Sequence, residues 1–162
     1  MGRPVIIDCD PGIDDAMALV LALCDPRLEV VAITATAGTV SAEQAVSNVA
    51  AVIEQVDPVR YPRIGVAQPL SLSPGVDGRD LHGEDGLGNV GLEGARTQRQ
   101  IAAEKLLADE IRAAPGEVIL LSTGPLTNLS RALQRDPGLL GMIDRVVIAG
   151  GSVQAGGDVT AA

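Results

Sequence analysis

Short β-branched runs alternate along this chain with longer segments of helical spacing. Val5-Ile6-Ile7 is a fully apolar strand that ends at Asp8. Asp14 to Leu23 has helical spacing and is apolar on nearly every face, which predicts a buried helix. Its first turn carries Asp14 and Asp15, where the helix dipole favours negative charge. Leu28 to Thr36 reads as a second strand, Ser41 to Val56 as a helix with Ser41 as N-cap, and Arg63 to Ala67 as a short third strand. Residues 68–98 hold seven glycines and little period, predicting a long loop of the kind that is usually functional or disordered. Gln100 to Ala113 and Leu126 to Gln134 are predicted helices, and Glu117 to Leu121 and Arg145 to Ala149 predicted strands. Strands in alternation with helices predict an α/β fold with a mostly parallel sheet covered by helices on both faces. With no internal repeat and no linker, residues 1–162 are expected to form a single α/β domain.

The polar residues fall at one place in this pattern. Asp8 and Asp10 follow the first strand, Gly38-Thr39 the second, Ser122-Thr123-Gly124 the strand at 117–121, and Gly150-Gly151 the last. Open α/β sheets bind ligands outside the carboxyl ends of their strands. Ordinary turn chemistry accounts for the glycines but not for four carboxylates, Asp8, Asp10, Asp14 and Asp15, within eight positions. Such neighbours repel and raise one another's pKa, and helix capping needs one or two acids. A hard divalent cation accounts for the cluster, because it binds carboxylate oxygens and offsets their repulsion. Asp10 and Asp15 can share the cation if Pro11-Gly12 lets the chain fold back. Asp14 points about 100° from Asp15 on the helix, so one faces the metal while the other faces a ligand hydroxyl. Asp8 is expected to tie down the turn through backbone N–H groups.

Composition narrows the partners. Hydrophobic residues make up 46% and aromatics 1%, so the core is aliphatic. The net charge of −9 argues against a nucleic-acid backbone or an anionic membrane as partner. Cys9 and Cys24 are expected to be small buried side chains in a reducing compartment, without a disulfide. No signal-peptide pattern and no membrane-length apolar run is present in the sequence, and a cytoplasmic protein is expected.

The motif at 5–16, Val-Ile-Ile-Asp-Cys-Asp-Pro-Gly-Ile-Asp-Asp-Ala, resembles the N-terminal signature of inosine–uridine-preferring nucleoside hydrolases. The resemblance continues in order through Ala32-Ile33-Thr34, Ala37-Gly38, His82-Gly83-Glu84-Asp85-Gly86-Leu87-Gly88, Thr123-Gly124-Pro125-Leu126-Thr127-Asn128 and Gly150-Gly151. The first and the Thr123–Asn128 motifs are highly specific; the others are weak alone. The resemblance implies a Rossmann-like nucleoside hydrolase fold and hydrolysis of the N-glycosidic bond of ribonucleosides to ribose and free base. It also implies a calcium ion. Carried over by position, Asp10 and Asp15 would be calcium ligands, with the Thr123 backbone carbonyl beside them. Asp10 would also be the general base for the attacking water. Asp14 would bind a ribose hydroxyl, and His82 would sit in a loop that closes near the base. Thr127 and Asn128 also suit a helix cap, with Asn128 locking the turn; Asp8 and Asn128 are read as structural support.

Three positions depart from the family pattern. Thr39 stands where the family usually has asparagine near the water and ribose, Ala149 where it often has methionine, and Asp158 where it usually has asparagine near the ribose 5′-hydroxyl. Family members run about twice as far, a size that can still form one domain, and their Glu-Phe-Asn segment would begin just after Ala162. The chain is therefore expected to match a truncated, N-terminal half of the family fold. Full activity would then call for a complementing C-terminal portion or self-association. A second reading is a phosphohydrolase of the haloacid-dehalogenase type, from Asp8-x-Asp10 after a strand and Ile119–Thr123 later, with Asp8 as nucleophile and magnesium as cation. Against it, Gly12 is mismatched, Asp14-Asp15 has no role, and Lys105, the only lysine, precedes the second motif. A third is a non-catalytic nucleoside- or calcium-binding pseudoenzyme.

Overall fold

The computed structural model describes residues 2–69, 78–92, 94, 100–151 and 153–154. Six strands form one sheet in the order β4-β3-β2-β1-β5-β6. They are β1 (Arg3–Cys9), β2 (Leu28–Ala35), β3 (Arg63–Val66), β4 (Ile101–Ala102), β5 (Ile119–Ser122) and β6 (Arg145–Ile148). Every pairing is parallel. Five helices connect them: α1 (Ile13–Cys24), α2 (Ala42–Val56), the single-turn α3 (Arg79–His82), α4 (Ala103–Ala113) and α5 (Thr127–Arg135).

Alternation along β1 divides the core in two. Val5, Ile7 and Cys9 face Leu19 of α1 and Val46, Val49 and Ile53 of α2. Ile6 faces the other way, toward Leu106, Leu107 and Ile111 of α4 and Leu129 of α5. Strands buried on both faces read as continuous apolar runs, which is why Val5-Ile6-Ile7 carries no polar alternation. Ser41 caps α2 as expected, accepting from the Gln44 N–H at 3.2 Å. The chain runs outward from β1 through β2, β3 and β4, then crosses back to β5 and β6. The order reverses between β1 and β5, where a ligand crevice forms in such sheets.

Several expectations are corrected. α1 is not buried all round: Ile13, Met17, Val20 and Leu21 lie exposed, and the buried positions are Asp15, Leu19 and Ala22. Only one stripe reaches the sheet, because a helix resting on one face of an open sheet has an outer side whatever its composition. Cys24, at the end of that outer side, is exposed, whereas Cys9 is buried; both are free thiols. Ile101-Ala102, expected as helix, pair with Gly65 and Val66 as the edge strand before α4 begins. Residues 79–82 form a helical turn inside the expected loop, and Pro137–Met142 forms a 3-10 helix capped by Asp136. Among the described residues no helix is long and apolar enough to cross a membrane.

Candidate active site

β1 carries Asp8 into the interior, and the chain then turns through Asp10-Pro11-Gly12 into α1. The turn closes on itself: the Asp10 N–H donates to Asp15 Oδ2 at 3.1 Å. The chain thus folds back far enough for the Asp15 carboxylate to reach the Asp10 backbone. Asp10 is also held from the loop that follows β2. The Thr39 N–H donates to Asp10 Oδ2 at 2.6 Å and the Thr39 hydroxyl to the same oxygen at 3.2 Å. Two glycines make room for this carboxylate. A Cβ on Gly38 would lie 1.9 Å from Asp10 Oδ2, and one on Gly124 would lie 2.5 Å from Oδ1. Backbone approach that close excludes any side chain at either position.

Asp8 supports the turn from below, through its side chain as well as its backbone. Its Oδ1 accepts from the Thr34 hydroxyl at 2.6 Å and from Asn128 Nδ2 at 2.8 Å. Its carbonyl accepts the Thr123 N–H at 2.9 Å, which draws the end of β5 against β1. The expected contacts from backbone N–H groups to the Asp8 carboxylate are replaced by these side chains, because Asp8 sits fully buried between β2 and α5. Asn128 likewise does not cap α5, whose N-terminus has no side-chain cap. It is buried and reaches across to Asp8 and to the Ala35 carbonyl, 3.3 Å away. Among the described residues, Asp8 Oδ2, Asn128 Oδ1, Thr36 Oγ1 and Thr123 Oγ1 are buried without a hydrogen-bond partner. The Asp8 and Asn128 oxygens act as acceptors, so each calls for a donor or a cation.

Burial sets the electrostatics. It pushes Asp8 up to about 6, against the lowering effect of Thr34 and Asn128, and Asp10 and Asp15 add repulsion. Burial also raises Asp10 to about 6; the Thr39 N–H opposes the rise and Asp15 adds to it. Asp15 is raised by burial as well. The nearby Thr123 hydroxyl offsets part of that rise without reaching full hydrogen-bond geometry. Among the described residues no lysine or arginine forms an ion pair with Asp8, Asp10 or Asp15. The cluster is thus partly desolvated and, among the described residues, has no lysine or arginine partner.

Asp14 and His82 lie at the rim. The Asp14 side chain is 81% exposed, and its Oδ1 is 3.9 Å from His82 Nδ1. Adjacent acids on one helix diverge as expected, Asp15 inward and Asp14 outward. His82 Nδ1 accepts the Ile13 N–H at 3.1 Å. That bond leaves Nε2 to carry the ring proton in the neutral imidazole. His82 therefore caps the first turn of α1, where Gly12 offers no side chain of its own. A Cβ on Gly12 would lie 2.7 Å from Nδ1, so the histidine rests against bare backbone.

The structure thus brings Asp8, Asp10, Asp14, Asp15, Thr39, His82, Thr123 and Asn128 around one turn. Asp158 lies outside the described residues. Two participants have no role in the sequence reading. Thr34 belongs to the quoted Ala32-Ile33-Thr34 motif, and nothing in the sequence pairs it with Asp8. Asn48, 2% exposed, donates to the Pro11 carbonyl and the Asp85 carbonyl at 3.0 and 2.8 Å. An asparagine within the apolar stripe of a helix is a poor helix former there, and that was the available signal.

The donor chemistry suits a hard cation, since Asp10, Asp15 and the Thr123 carbonyl offer only oxygen. Among the described residues, no group of three or more His, Cys, Asp and Glu side chains is arranged to hold a metal. The described side chains thus offer two carboxylates toward the six to eight oxygens calcium takes. The haloacid-dehalogenase reading fails on geometry: Asp8 is fully buried and tied to Thr34 and Asn128, so it has no approach to a phosphate ester.

The switch point of this doubly wound parallel sheet thus carries a turn rich in carboxylates. Residues 5–162 match the family of inosine-uridine preferring nucleoside hydrolases, and the chain belongs to it. It is 39% identical over 157 residues to a pyrimidine-specific ribonucleoside hydrolase, RihA, of Klebsiella pneumoniae, covering 96% of this chain and 50% of that protein. It is 40% identical over 158 residues to RihA of Photobacterium profundum, covering 96% and 51%. Among solved structures, a plant nucleoside hydrolase, PpNRh1, superposes with a TM-score of 0.85 at 32% identity, over 100% of this chain and 52% of that one. A purine-preferring ribonucleoside hydrolase from Gardnerella vaginalis gives a TM-score of 0.86 at 26% identity, over 98% and 52%. The chain spans about half the length of these relatives.

Proposed function

We propose that this chain supplies the ribose- and metal-binding portion of a ribonucleoside N-glycosidase. The observation that carries this reading is the pair Asp10 and Asp15: tied through the Asp10 N–H, partly to fully withdrawn from solvent, raised in pKa and without a lysine or arginine partner among the described residues. Asp10, Asp15 and the Thr123 backbone carbonyl would hold calcium. When bound, the ion would offset the carboxylates' repulsion and offer positions for water and sugar hydroxyls. The rest of its shell would come from the part of the family length that this chain does not span, from water and from substrate.

Asp10 acts as the general base. Thr39 fixes Oδ2, and Oδ1, which has no hydrogen-bond donor among the described residues and rests beside Gly124, would take the proton of the reacting water. Burial and the Asp15 charge raise the Asp10 pKa in the metal-free chain, and a cation held beside it would favour the ionised form that accepts a proton. The Asp14 carboxylate, exposed beside the cluster, accepts a ribose hydroxyl. Negative carboxylates near the sugar stabilise the positive charge that develops at the anomeric carbon. His82 keeps its Nε2–H for the substrate while Nδ1 is engaged. Thr39 and, by its place in the sequence, Asp158 contribute to the ribose side.

The substrate is a small-molecule ribonucleoside, and the unpaired thiols Cys9 and Cys24 agree with a reducing, cytoplasmic setting. The test is reducing-sugar release from inosine and uridine, by the chain alone and by the chain joined to the C-terminal half of a RihA relative. The expected result is little release by the first and calcium-dependent release by the second. No release by the second would overturn the reading.

A further inference from the structure

The segment 78–92 is braced within itself. Asp85 Oδ1 accepts the Leu87 and Asn89 N–H groups at 2.7 and 2.9 Å. Asn89 Oδ1 accepts the Glu84 N–H at 2.7 Å, and the Gly88 N–H donates to the His82 carbonyl at 2.6 Å. A loop tied together in this way moves as a unit, so its placement depends on where it is fastened. One fastening is the His82–Ile13 bond, and a second runs from the Gly78 N–H to the Thr39 carbonyl at 3.3 Å. Both are at the more exposed end of the segment.

The third is of a different kind. Asn48, buried in α2, donates one amide proton to the Pro11 carbonyl and the other to the Asp85 carbonyl. Gln44, one helical turn earlier, donates to Asn48 Oδ1 at 2.9 Å. That contact orients the amide, since its oxygen must face Gln44 and its nitrogen the two carbonyls. Both protons and one oxygen lone pair are engaged, so the group is satisfied despite burial. The loop fits closely over it: a Cβ on Gly86 would lie 2.8 Å from Val40 Cγ1 and 3.0 Å from Asn48 Nδ2, and Gly86 has φ +78°.

We infer that Asn48 is a positioning residue that fastens the His82-bearing segment to the Asp10–Gly12 turn, setting the substrate-facing histidine against the ribose carboxylates. It touches neither substrate nor metal. Its effect runs through the Pro11 and Asp85 carbonyls. A segment docked in advance spares substrate the cost of ordering it, whereas a loosened one reduces apparent affinity by the fraction correctly placed. The inference rests on the nucleoside hydrolase reading for its kinetic consequence, but not for its structural one.

The experiment compares wild type with Asn48→Asp, which places an oxygen where two carbonyls need a donor, and with Gly86→Ala, which loosens the same contact from the loop side. Amide hydrogen exchange on the 162-residue chain should speed by roughly tenfold at Gly86, Leu87, Gly88 and Asn89 in either variant, with the amides of α4 unchanged. In the joined protein that releases ribose, KM should rise about tenfold while kcat stays within about threefold. The double variant should cost little more than either single one, as for two lesions of one contact. Unchanged exchange in the segment, or a fall in kcat at constant KM, would overturn the inference. If Asn48→Asp does not fold, Gly86→Ala alone decides between the same outcomes. Should neither wild type nor any variant release ribose, the exchange rates still decide whether Asn48 tethers the segment, and the functional reading fails separately.

Discussion

Thr39 grips a single oxygen of Asp10 twice, through its backbone N–H at 2.6 Å and its hydroxyl at 3.2 Å. The shorter bond comes from the main chain and survives any side-chain change. The hydroxyl adds a second donor to the same atom. The Thr39 side chain therefore adds to a hold on the carboxylate that the main chain already provides.

Thr39→Val should for this reason be mild. It removes one side-chain hydrogen bond worth about 1 kcal/mol, so ribose release should fall by about fivefold. Gly38→Ala next to it should be severe, because its Cβ would sit 1.9 Å from Asp10 Oδ2. Moving the base by about 1 Å costs about a hundredfold in rate. Initial rates of ribose release by the two variants, each joined to the C-terminal half of a RihA relative, check both expectations; equal effects would mean Asp10 is not held as described.

Asn128 should matter for stability. Asn128→Leu withdraws the amide donor from buried Asp8 Oδ1 and leaves Thr34 as that oxygen's remaining side-chain donor. Leaving a buried carboxylate short of a donor costs about 1–3 kcal/mol. Urea unfolding at neutral pH should show a lower midpoint with an unchanged slope.

The order of elements was legible because strands buried on both faces have to be apolar runs and because glycine and proline mark the turns. The carboxylate cluster was legible because four acids in eight positions have no folding explanation. Long-range partners were not. Nothing local tells Thr34 or Asn128 that Asp8 lies opposite, and the ties of His82 to Ile13 and of Asn48 to Asp85 join residues 69 and 37 positions apart. The exposure of Met17 and Leu21 was hidden for the same reason, since composition does not reveal which side of a helix meets a sheet. Ile101-Ala102 misled because two residues of strand leave no period before a helix that starts at once.

Burial of Asp8 predicts an unusual pH dependence in chelator. Its carboxyl is raised from 3.8 to about 6 on folding, so the folded chain binds the proton more tightly than the unfolded one. The resulting stabilisation is full below pH 3.8 and is lost as pH rises through about 6. A shift of that size corresponds to about 3 kcal/mol. Thermal unfolding with chelator between pH 4 and 7 should show this loss, to which Asp10, also raised to about 6, and Asp15 add; Asp8→Asn should remove the Asp8 share and leave the rest.

The most direct test of the divided carboxylate turn is calorimetric titration of calcium into the chain and its Asp8→Asn, Asp10→Asn and Asp15→Asn variants. The expected result is one calcium site that is retained in Asp8→Asn and weakened by at least about a hundredfold in Asp10→Asn and Asp15→Asn, as loss of a charged ligand requires. Absence of calcium binding by the wild-type chain both alone and joined to the C-terminal half of a RihA relative, or binding indifferent to Asp10 and Asp15, would contradict it.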